Sequence, residues 1–500
     1  MNLRELTAGL QLEIIGSPDK EITGMAYDSR KARAGYLFFA FPGAKDDGER
    51  YIPQAVKNGA IAVVSRKKSE TADGVTRLIF PQPQVLMGTL AARFYHNPSE
   101  KLLLLGVTGT NGKTTITYLL ESIFTQHGEK TAIIGTIANR FGDEVLPAER
   151  TTPQSLDLQM LLDKALAKGM KVVAMEVSSH ALAQGRIEGC EFDVGIFTNL
   201  TRDHLDYHQT MENYLLAKAE LFRRLYPQRK NKKFAIINLD DSSAVLLQNV
   251  SAAPVFTYSL TNRSANFLAE DIALGRENTQ FNLLVNSDGK VSQKQPVKLH
   301  LVGSYNVANA LAAAAAAFCC GLELNEIAQG LEKIENIPGR FEKINLGQSF
   351  SCIVDYAHTS DGLEKVLTAC RELNPVRLIA VFGCGGDRDR SKRPLMGETA
   401  SRLSDFIFVT SDNPRSEDPE KITREIEAGI IEKNRHNYKI VINRRQAIEE
   451  ALNFAKPGDL ILIAGKGHEQ EQIFADRIEH FDDREVAREI VSRVNPEPNK

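Results

Sequence analysis

The sequence predicts an α/β protein of several domains, with mostly parallel sheets and a phosphate-binding loop in the central one. Length is the first observation: 500 residues exceed one ordinary domain and can bury several separate cores. The second is the alternation, from Lys101 onward, of short apolar runs with helix-spaced apolar residues, the pattern of a doubly wound sheet. The third is the stretch Leu102-Leu103-Leu104-Leu105-Gly106-Val107-Thr108-Gly109-Thr110-Asn111-Gly112-Lys113-Thr114-Thr115. Its apolar run reads as a buried strand, small residues follow, and Ile116, Leu119, Leu120, Ile123 and Phe124 recur at helical spacing. Strand, glycine loop and helix aim backbone N–H groups and a helix N-terminus at phosphate. Gly109, Thr110, Asn111, Gly112, Lys113, Thr114 and Thr115 are therefore assigned to a nucleoside triphosphate. Lys113 is the charge for the outer phosphates and Thr114 a hydroxyl for Mg²⁺. Val107 stands where the generic loop has its first glycine.

Composition narrows the classes. A formal charge of −3 gives no basic footprint for nucleic acid. The six cysteines form no C-x-x-C pair or zinc spacing, so reduced, mostly buried thiols of a cytoplasmic protein are expected. The first residues carry no apolar signal core, and the longest apolar stretch, 308–321, is too short to cross a bilayer. A soluble protein without membrane insertion is expected.

Taken in order, residues 1–98 precede the phosphate loop and form a unit of their own, with strands expected at 36–41 and 60–64. Asp28-Ser29-Arg30 is polar loop chemistry, equally a turn or a ligand contact. A strand is expected at 131–137 and a helix at 155–168, where Leu156, Met160, Leu161, Ala165 and Leu166 make an apolar stripe. Val172-Val173-Ala174-Met175-Glu176 reads as a buried strand ending in a carboxylate. Ligands gather at the carboxyl ends of such strands, which places Glu176 to hold Mg²⁺; a cap or salt bridge explains it equally well in isolation. The strand at 192–200 runs into Asn199-Leu200-Thr201-Arg202-Asp203-His204-Leu205-Asp206, whose ionisable side chains packed after a strand end favour a site. A helix over 214–225 carries Lys218, which by itself reads as a snorkelling surface lysine. After a strand at 234–239, alternation over 252–302 predicts an antiparallel insertion. Gly303-Ser304-Tyr305-Asn306-Val307-Ala308-Asn309 then opens an alanine-rich helix with both asparagines on one face.

Ile337-Pro338-Gly339-Arg340 reads as a linker. Beyond it strands are expected at 352–356, 377–382, 406–410 and 460–464. Each ends in a polar or glycine cluster: Asp355-Tyr356-Ala357-His358, 383–390, 411–415 and 465–469. Four such clusters at strand ends line one crevice.

Four of these patterns together resemble the Mur ligases, the ATP-dependent amide-bond synthetases of bacterial peptidoglycan assembly: Gly109-Thr110-Asn111-Gly112-Lys113-Thr114-Thr115, the stretch from Asn199 to Asp206, Gly303-x-x-Asn306-x-x-Asn309 and Asp355-Tyr356-Ala357-His358. The resemblance spans essentially the whole chain in motif order. Within the family, Asp412-Asn413-Pro414-Arg415 is similar to the signature of members that add meso-diaminopimelate to UDP-N-acetylmuramoyl-L-alanyl-D-glutamate. Lysine-adding members carry another residue where Arg415 stands.

The resemblance implies three domains: 1–98 for the UDP moiety, 99–337 as the ATPase, and 338–500 as a Rossmann-like domain for the incoming amino acid. It implies that Ser29 contacts uridine and that Thr151, Thr152, Ser178, Gln184 and Arg186 hold the sugar-peptide. It also implies that Asn306 serves the nucleotide. Lys113, Glu176, His204 and Lys218 become the catalytic set, with Thr114, Glu176 and His204 around Mg²⁺. Lys218 matches a lysine carbamylated by CO₂ (N6-carboxylysine), which overturns its surface reading. Arg388, Asp412, Asn413, Pro414, Arg415, Gly465 and Glu469 match the amino-acid site. Ala44 departs from the family, whose diaminopimelate-adding members often have His there, and Ser360 stands where proline is common. A cytoplasmic monomer is expected, acting through an acyl phosphate. A lysine-adding or folylpolyglutamate-synthesising sibling, and a non-ligase P-loop switch or kinase, are the competing readings.

Overall fold

The apolar run before the glycine loop forms the strand Leu103–Thr108, and the helix Lys113–Gln126 follows directly. In the computed structural model, residues 1–43, 46–68, 74–275, 277–287, 289–432 and 437–494 are described; Ala44 lies outside them. Around Leu103–Thr108 runs an 11-stranded sheet. Val172–Glu176 flanks it on one side and Val194–Phe197 on the other, both parallel. Thr131–Ile134 and Phe234–Asn238 continue the parallel ladder outward. The glycine loop thus leaves its strand between two neighbours whose carboxyl ends carry Glu176 and Thr198, the crevice where open α/β sheets bind ligands.

Three sequence expectations for this sheet are corrected. The strand expected at 192–200 covers only Val194–Phe197, because Thr198 and Asn199 leave the ladder to hold the glycine loop. The strand expected at 131–137 stops at Ile134, because Gly135 and Thr136 turn out of the ladder to meet the Glu176 carboxylate. The segment 252–302 is not wholly antiparallel: Val255–Ser259 pairs parallel with Phe234–Asn238, since the crossover helix Ala244–Val250 returns the chain to the same sense. Only Thr279–Ser287 and Lys290–Leu299 extend the sheet antiparallel, beyond Phe267–Leu274. The hairpin Ala138–Phe141 and Glu144–Pro147 closes the opposite edge and has no counterpart among the expected elements. On one face the alanine-rich helix Ser304–Cys319 buries Ala310 to Ala317 completely. Their small side chains let it lie close against Lys113–Gln126 and the sheet.

Residues 13–79 form a separate 5-stranded sheet, parallel except for Glu13–Ile15. Residues 342–464 form a 6-stranded sheet, with Ser351–Asp355, Leu460–Ala464, Leu378–Phe382, Phe406–Val409 and Tyr438–Ile440 parallel in that order. All four strands expected there exist, each within a residue or so. The hairpin Glu471–Ile473 and Ile478–His480 packs beside the last polar cluster. Between 337 and 340 the chain makes an isolated antiparallel bridge.

The helices Lys392–Leu403 and Pro419–Ile431 touch through glycine. A Cβ on Gly429 would lie 1.9 Å from the Pro394 carbonyl, and one on Gly397 2.1 Å from the Ile426 carbonyl. Alanine stabilises an ordinary helix position over glycine by about 1 kcal/mol, so Gly429→Ala tests which effect wins. The contact predicts the opposite sign: a loss of about 1–3 kcal/mol from the overpacked crossing, read as a lower urea midpoint.

Candidate active site

The glycine loop has the shape its sequence demands. Gly109 has φ +148°, and a Cβ there would lie 1.8 Å from Thr198 Oγ1; at Gly112, φ +87°, it would lie 2.5 Å from Asn309 Oδ1. The loop is pinned from the next strand: Thr110 N–H donates to Asn199 O (2.8 Å) and Asn111 N–H to Asn199 Oδ1 (3.0 Å). Thr198 Oγ1 donates to Asn111 O at 2.6 Å. Lys113 folds across the loop and donates to Gly109 O (2.9 Å) and Thr110 O (2.8 Å). Burial, with Arg340 adding repulsion, lowers the pKa of this ammonium, while Glu176 and Asp203 oppose the shift. Asn309 Nδ2 donates to Asn306 Oδ1 at 3.2 Å, so Asn306 stands behind the asparagine that faces Gly112. Both line a cavity of about 80 Å³ that Arg340, Tyr356 and Lys365 close from the C-terminal half.

Glu176 joins this loop to a second group of residues. Buried to 1 % exposure, its Oε1 accepts from Thr114 Oγ1 (3.0 Å) and Thr136 N–H (2.8 Å), and its Oε2 from Thr136 Oγ1 (3.0 Å). Thr136 Oγ1 also lies 3.0 Å from Thr151 Oγ1. Thr152 Oγ1 lies 2.9 Å from the Glu176 carbonyl and 3.2 Å from Ser178 Oγ. Arg186 donates to Thr152 O (3.1 Å) and to Gln184 Oε1 (2.6 Å). All five residues assigned to the sugar-peptide therefore form one hydrogen-bonded patch that leads to the phosphate loop. Thr136 and Tyr207, the latter 3.3 Å from Gln184 Nε2, complete it and were not singled out from sequence. Ser29 lies apart, in the turn Ser29–Lys31 of the N-terminal sheet, with its carbonyl held by Asn58.

The Thr114 hydroxyl and Glu176 carboxylate are hard oxygen donors in contact, which suits Mg²⁺ shared with nucleotide phosphates. Among the described residues no three His, Cys, Asp or Glu side chains group as a metal cage. His204 makes no hydrogen bond to Thr114 or Glu176 among the described residues. It sits in a left-handed turn (φ 55°), edge-on to His180 at 4.7 Å and 3.4 Å from Asp203 Oδ2. Burial pushes its imidazole pKa down; Asp203 opposes the shift, and neighbouring His180, Lys113 and Lys218 add to it. The surface reading of Lys218 is wrong: the side chain is 1 % exposed, with Nζ 4.3 Å from the Tyr214 ring centroid. Burial, reinforced by Lys113, lowers its pKa well below that of an ordinary lysine. Helical spacing alone did not show this, because the face that carries it packs inward only through tertiary contacts; the family resemblance had already overturned the surface reading.

His204, Asp203 and His180 open into a cavity of about 450 Å³ whose other wall is C-terminal: Arg388, Asp412, Asn413, Arg415, Gly465 and Glu469. Every polar residue assigned to the amino acid is there, and Pro414 lies between two of them. Arg415, at φ 54°, donates from Nη1 to Gly386 O at 2.8 Å. Neither Arg388 nor Arg415 is in an ion pair among the described residues. Lys466, fully buried, holds the wall by donating to Asn413 Oδ1 (3.0 Å), Glu469 Oε2 (3.1 Å) and Glu471 O (2.6 Å). Its place inside the cluster 465–469 was the only sequence signal for it.

Because Lys113 is held by loop carbonyls alone, Lys113→Ala leaves the fold intact and removes the charge that meets transferring phosphate. Nucleotide-dependent turnover should fall on the order of 10²-fold or more with an unchanged urea midpoint. Turnover near that of the parent would remove the loop from the chemistry.

Known proteins bear on this geometry. Three family models match: Mur ligase family, catalytic domain, over 21–95; Mur ligase middle domain over 107–317; and Mur ligase, glutamate ligase domain, over 339–467. The chain is 42% identical over 492 residues to the UDP-N-acetylmuramoyl-L-alanyl-D-glutamate–2,6-diaminopimelate ligase of Caldanaerobacter subterraneus subsp. tengcongensis, covering 98% of this chain and 99% of that one. It is 45% identical over 480 residues to the Geobacillus kaustophilus protein of the same name, covering 95% and 96%. A solved structure of a ligase of that name superposes with TM-score 0.70 at 34% identity, covering 99% of each chain. With the phosphate loop, the Glu176 network and the two-sided cavity in one molecule, the chain belongs to the Mur ligase family.

Proposed function

We propose that the protein is an ATP-dependent ligase that joins meso-2,6-diaminopimelate to UDP-N-acetylmuramoyl-L-alanyl-D-glutamate, a cytoplasmic step of peptidoglycan precursor synthesis. The observation that carries the amine's identity is the C-terminal wall of the cavity. Arg388 and Arg415, neither within 4 Å of a carboxylate oxygen among the described residues, stand with Asp412 and Glu469 in one space. Diaminopimelate offers two carboxylates and two ammonium groups to such a wall, whereas lysine lacks the second carboxylate. A guanidinium grips a carboxylate through two parallel hydrogen bonds.

The chemistry follows from the groups present. A carboxylate is a poor acyl donor, so a glutamyl carboxylate oxygen attacks the γ-phosphorus of ATP, ADP leaves, and an acyl phosphate forms. This transfer needs positioning and neutralisation of charge. Lys113 and the backbone N–H groups of the loop face the phosphates. Mg²⁺, held by Thr114 and Glu176 with His204 nearby, would supply further positive charge when bound. The amine then attacks the acyl carbon, loses a proton, and phosphate departs. Thr151, Thr152, Ser178, Gln184 and Arg186 hold the dipeptide beside Glu176, and Ser29 meets the uridine. We divide the chain at 98/99 and 337/338, since both points fall between sheets, and take it to act as a monomer, because one chain supplies both walls of the cavity.

Lys218 is read as the carbamate carrier. A buried amine whose proton is easily lost is the form that attacks CO₂; carbamate formation releases a proton and replaces a cation with an anion. This reading is supported by the absence of an ion-pair partner for Lys218 among the described residues. Lys218→Ala should be severely impaired and partly rescued by short-chain carboxylic acids, whose oxygens replace those of the carbamate. Full activity without added acid would contradict it.

The function is tested by product mass after incubation with ATP, Mg²⁺, UDP-muramyl dipeptide and either diaminopimelate or lysine; a diaminopimelate adduct is expected and a lysine-only adduct would overturn the assignment. In the same assay Arg415→Ala should cost diaminopimelate about 30- to 1000-fold in kcat/KM, as for one partner removed from a charge pair, with the lysine rate scarcely lowered. Equal slowing of both amines would place Arg415 on a shared group.

A further inference from the structure

We propose that Asp361 is a positioning residue that seats the C-terminal half on the phosphate loop, so that the amine site is delivered only to an assembled nucleotide site. This rests on the reading that the amine binds beyond residue 338. Asp361 lies in the first turn of the helix Ser360–Glu372, where the helix N-terminus favours a carboxylate. One of its oxygens, Oδ2, takes three donors. Two come from the nucleotide half: Asn111 Nδ2 at 2.7 Å, from the phosphate loop itself, and Thr201 Oγ1 at 3.0 Å, from the segment that leads to His204. The third, Lys365 Nζ at 2.9 Å, is one turn along its own helix and fixes the carboxylate from behind.

The two partners across the crevice are already joined to each other. Thr201 N–H donates to Thr110 Oγ1 at 3.0 Å, and the Asn199 side chain accepts from Asn111 N–H at 3.0 Å. Asp361 therefore docks on a platform that exists only when the phosphate loop and the 198–201 segment are both in place. Because Asn199 and Thr198 hold the loop's backbone by themselves, loss of Asp361 leaves the nucleotide's N–H groups arranged. It removes instead the clasp that brings Arg388 and Arg415 over the nucleotide half. No step of the chemistry needs Asp361 to touch substrate, which makes it a positioning group rather than a catalytic one.

The test compares Asp361→Ala, Asp361→Asn and Thr201→Val in the full chain. Asp361→Ala should raise the KM for diaminopimelate or lower kcat by about 10- to 100-fold, the scale of charge-assisted hydrogen bonds, while the ADP dissociation constant by calorimetry moves less than about twofold. X-ray scattering with ADP should give a larger radius of gyration for Asp361→Ala than for the parent. The double variant Asp361→Ala/Thr201→Val should be no worse than Asp361→Ala alone, because both remove one contact. Should Asp361→Ala not fold, Asp361→Asn, which keeps an acceptor but loses the charge, and Thr201→Val carry the same readouts with smaller effects. An ADP affinity that falls as far as turnover, or an unchanged radius and unchanged amine KM, overturns the clasp. If the parent forms no diaminopimelate product, the functional reading fails, and the scattering and ADP titrations still decide the role of Asp361.

Discussion

The Glu176 carboxylate is the constraint on which the rest of the site depends. It is withdrawn from water, yet it ends a strand and so reaches the crevice rather than the core. Thr114 brings the phosphate loop to it, and Thr136 brings the next strand's exit. Its own backbone carbonyl accepts from Thr152 and so begins the patch that runs through Ser178 to Arg186. A carboxylate buried without such donors would be costly, so the Thr114 and Thr136 hydroxyls and the Thr136 N–H are what make this position tenable.

From that centre the two halves of the molecule divide the chemistry. On the proposed reading, the central sheet supplies phosphate binding and the place where a carboxylate meets ATP, and the sheet beyond Arg340 supplies the wall for the amine. Arg340 itself spans the divide, donating to Thr114 Oγ1 at 3.0 Å while its guanidinium lies 4.6 Å from the Tyr356 ring centroid. Such a division suits a ligase, in which an activated intermediate must be kept from water until the amine arrives. His204 and Lys218 lie where the two halves meet, in a region whose burial disfavours positive charge.

Much of this was legible in the sequence, and the reasons differ by residue. The phosphate loop and the strand Val172–Glu176 are read directly, because a run of buried strand residues and a glycine turn are local properties. The C-terminal strand ends are legible for the same reason, and they bring Arg388, Asp412, Arg415 and Glu469 to one cavity as expected. Lys218 was not legible as a buried group from its own surroundings, since Leu215, Leu216 and Leu221 around it also suit a surface helix with one apolar face. Thr136 was hidden by strand-like neighbours: Ile137 extends the apolar run, and only the Glu176 contact explains why the ladder ends at Ile134. The parallel pairing of Val255–Ser259 depends on a crossover helix that alternation alone does not reveal. Lys466 is a buried ammonium inside a glycine cluster; Glu469 and Glu471 are near it in the chain, but Asn413, which it ties to the same wall, is 53 residues away.

The central claim is that a glutamyl carboxylate beside Glu176 is phosphorylated before the amine attacks. Dipeptide substrate carrying ¹⁸O in its glutamyl carboxylates tests it most directly, with the released phosphate read by mass. One ¹⁸O in the phosphate is expected for each amide bond formed. Phosphate without the label, alongside normal product, would contradict it.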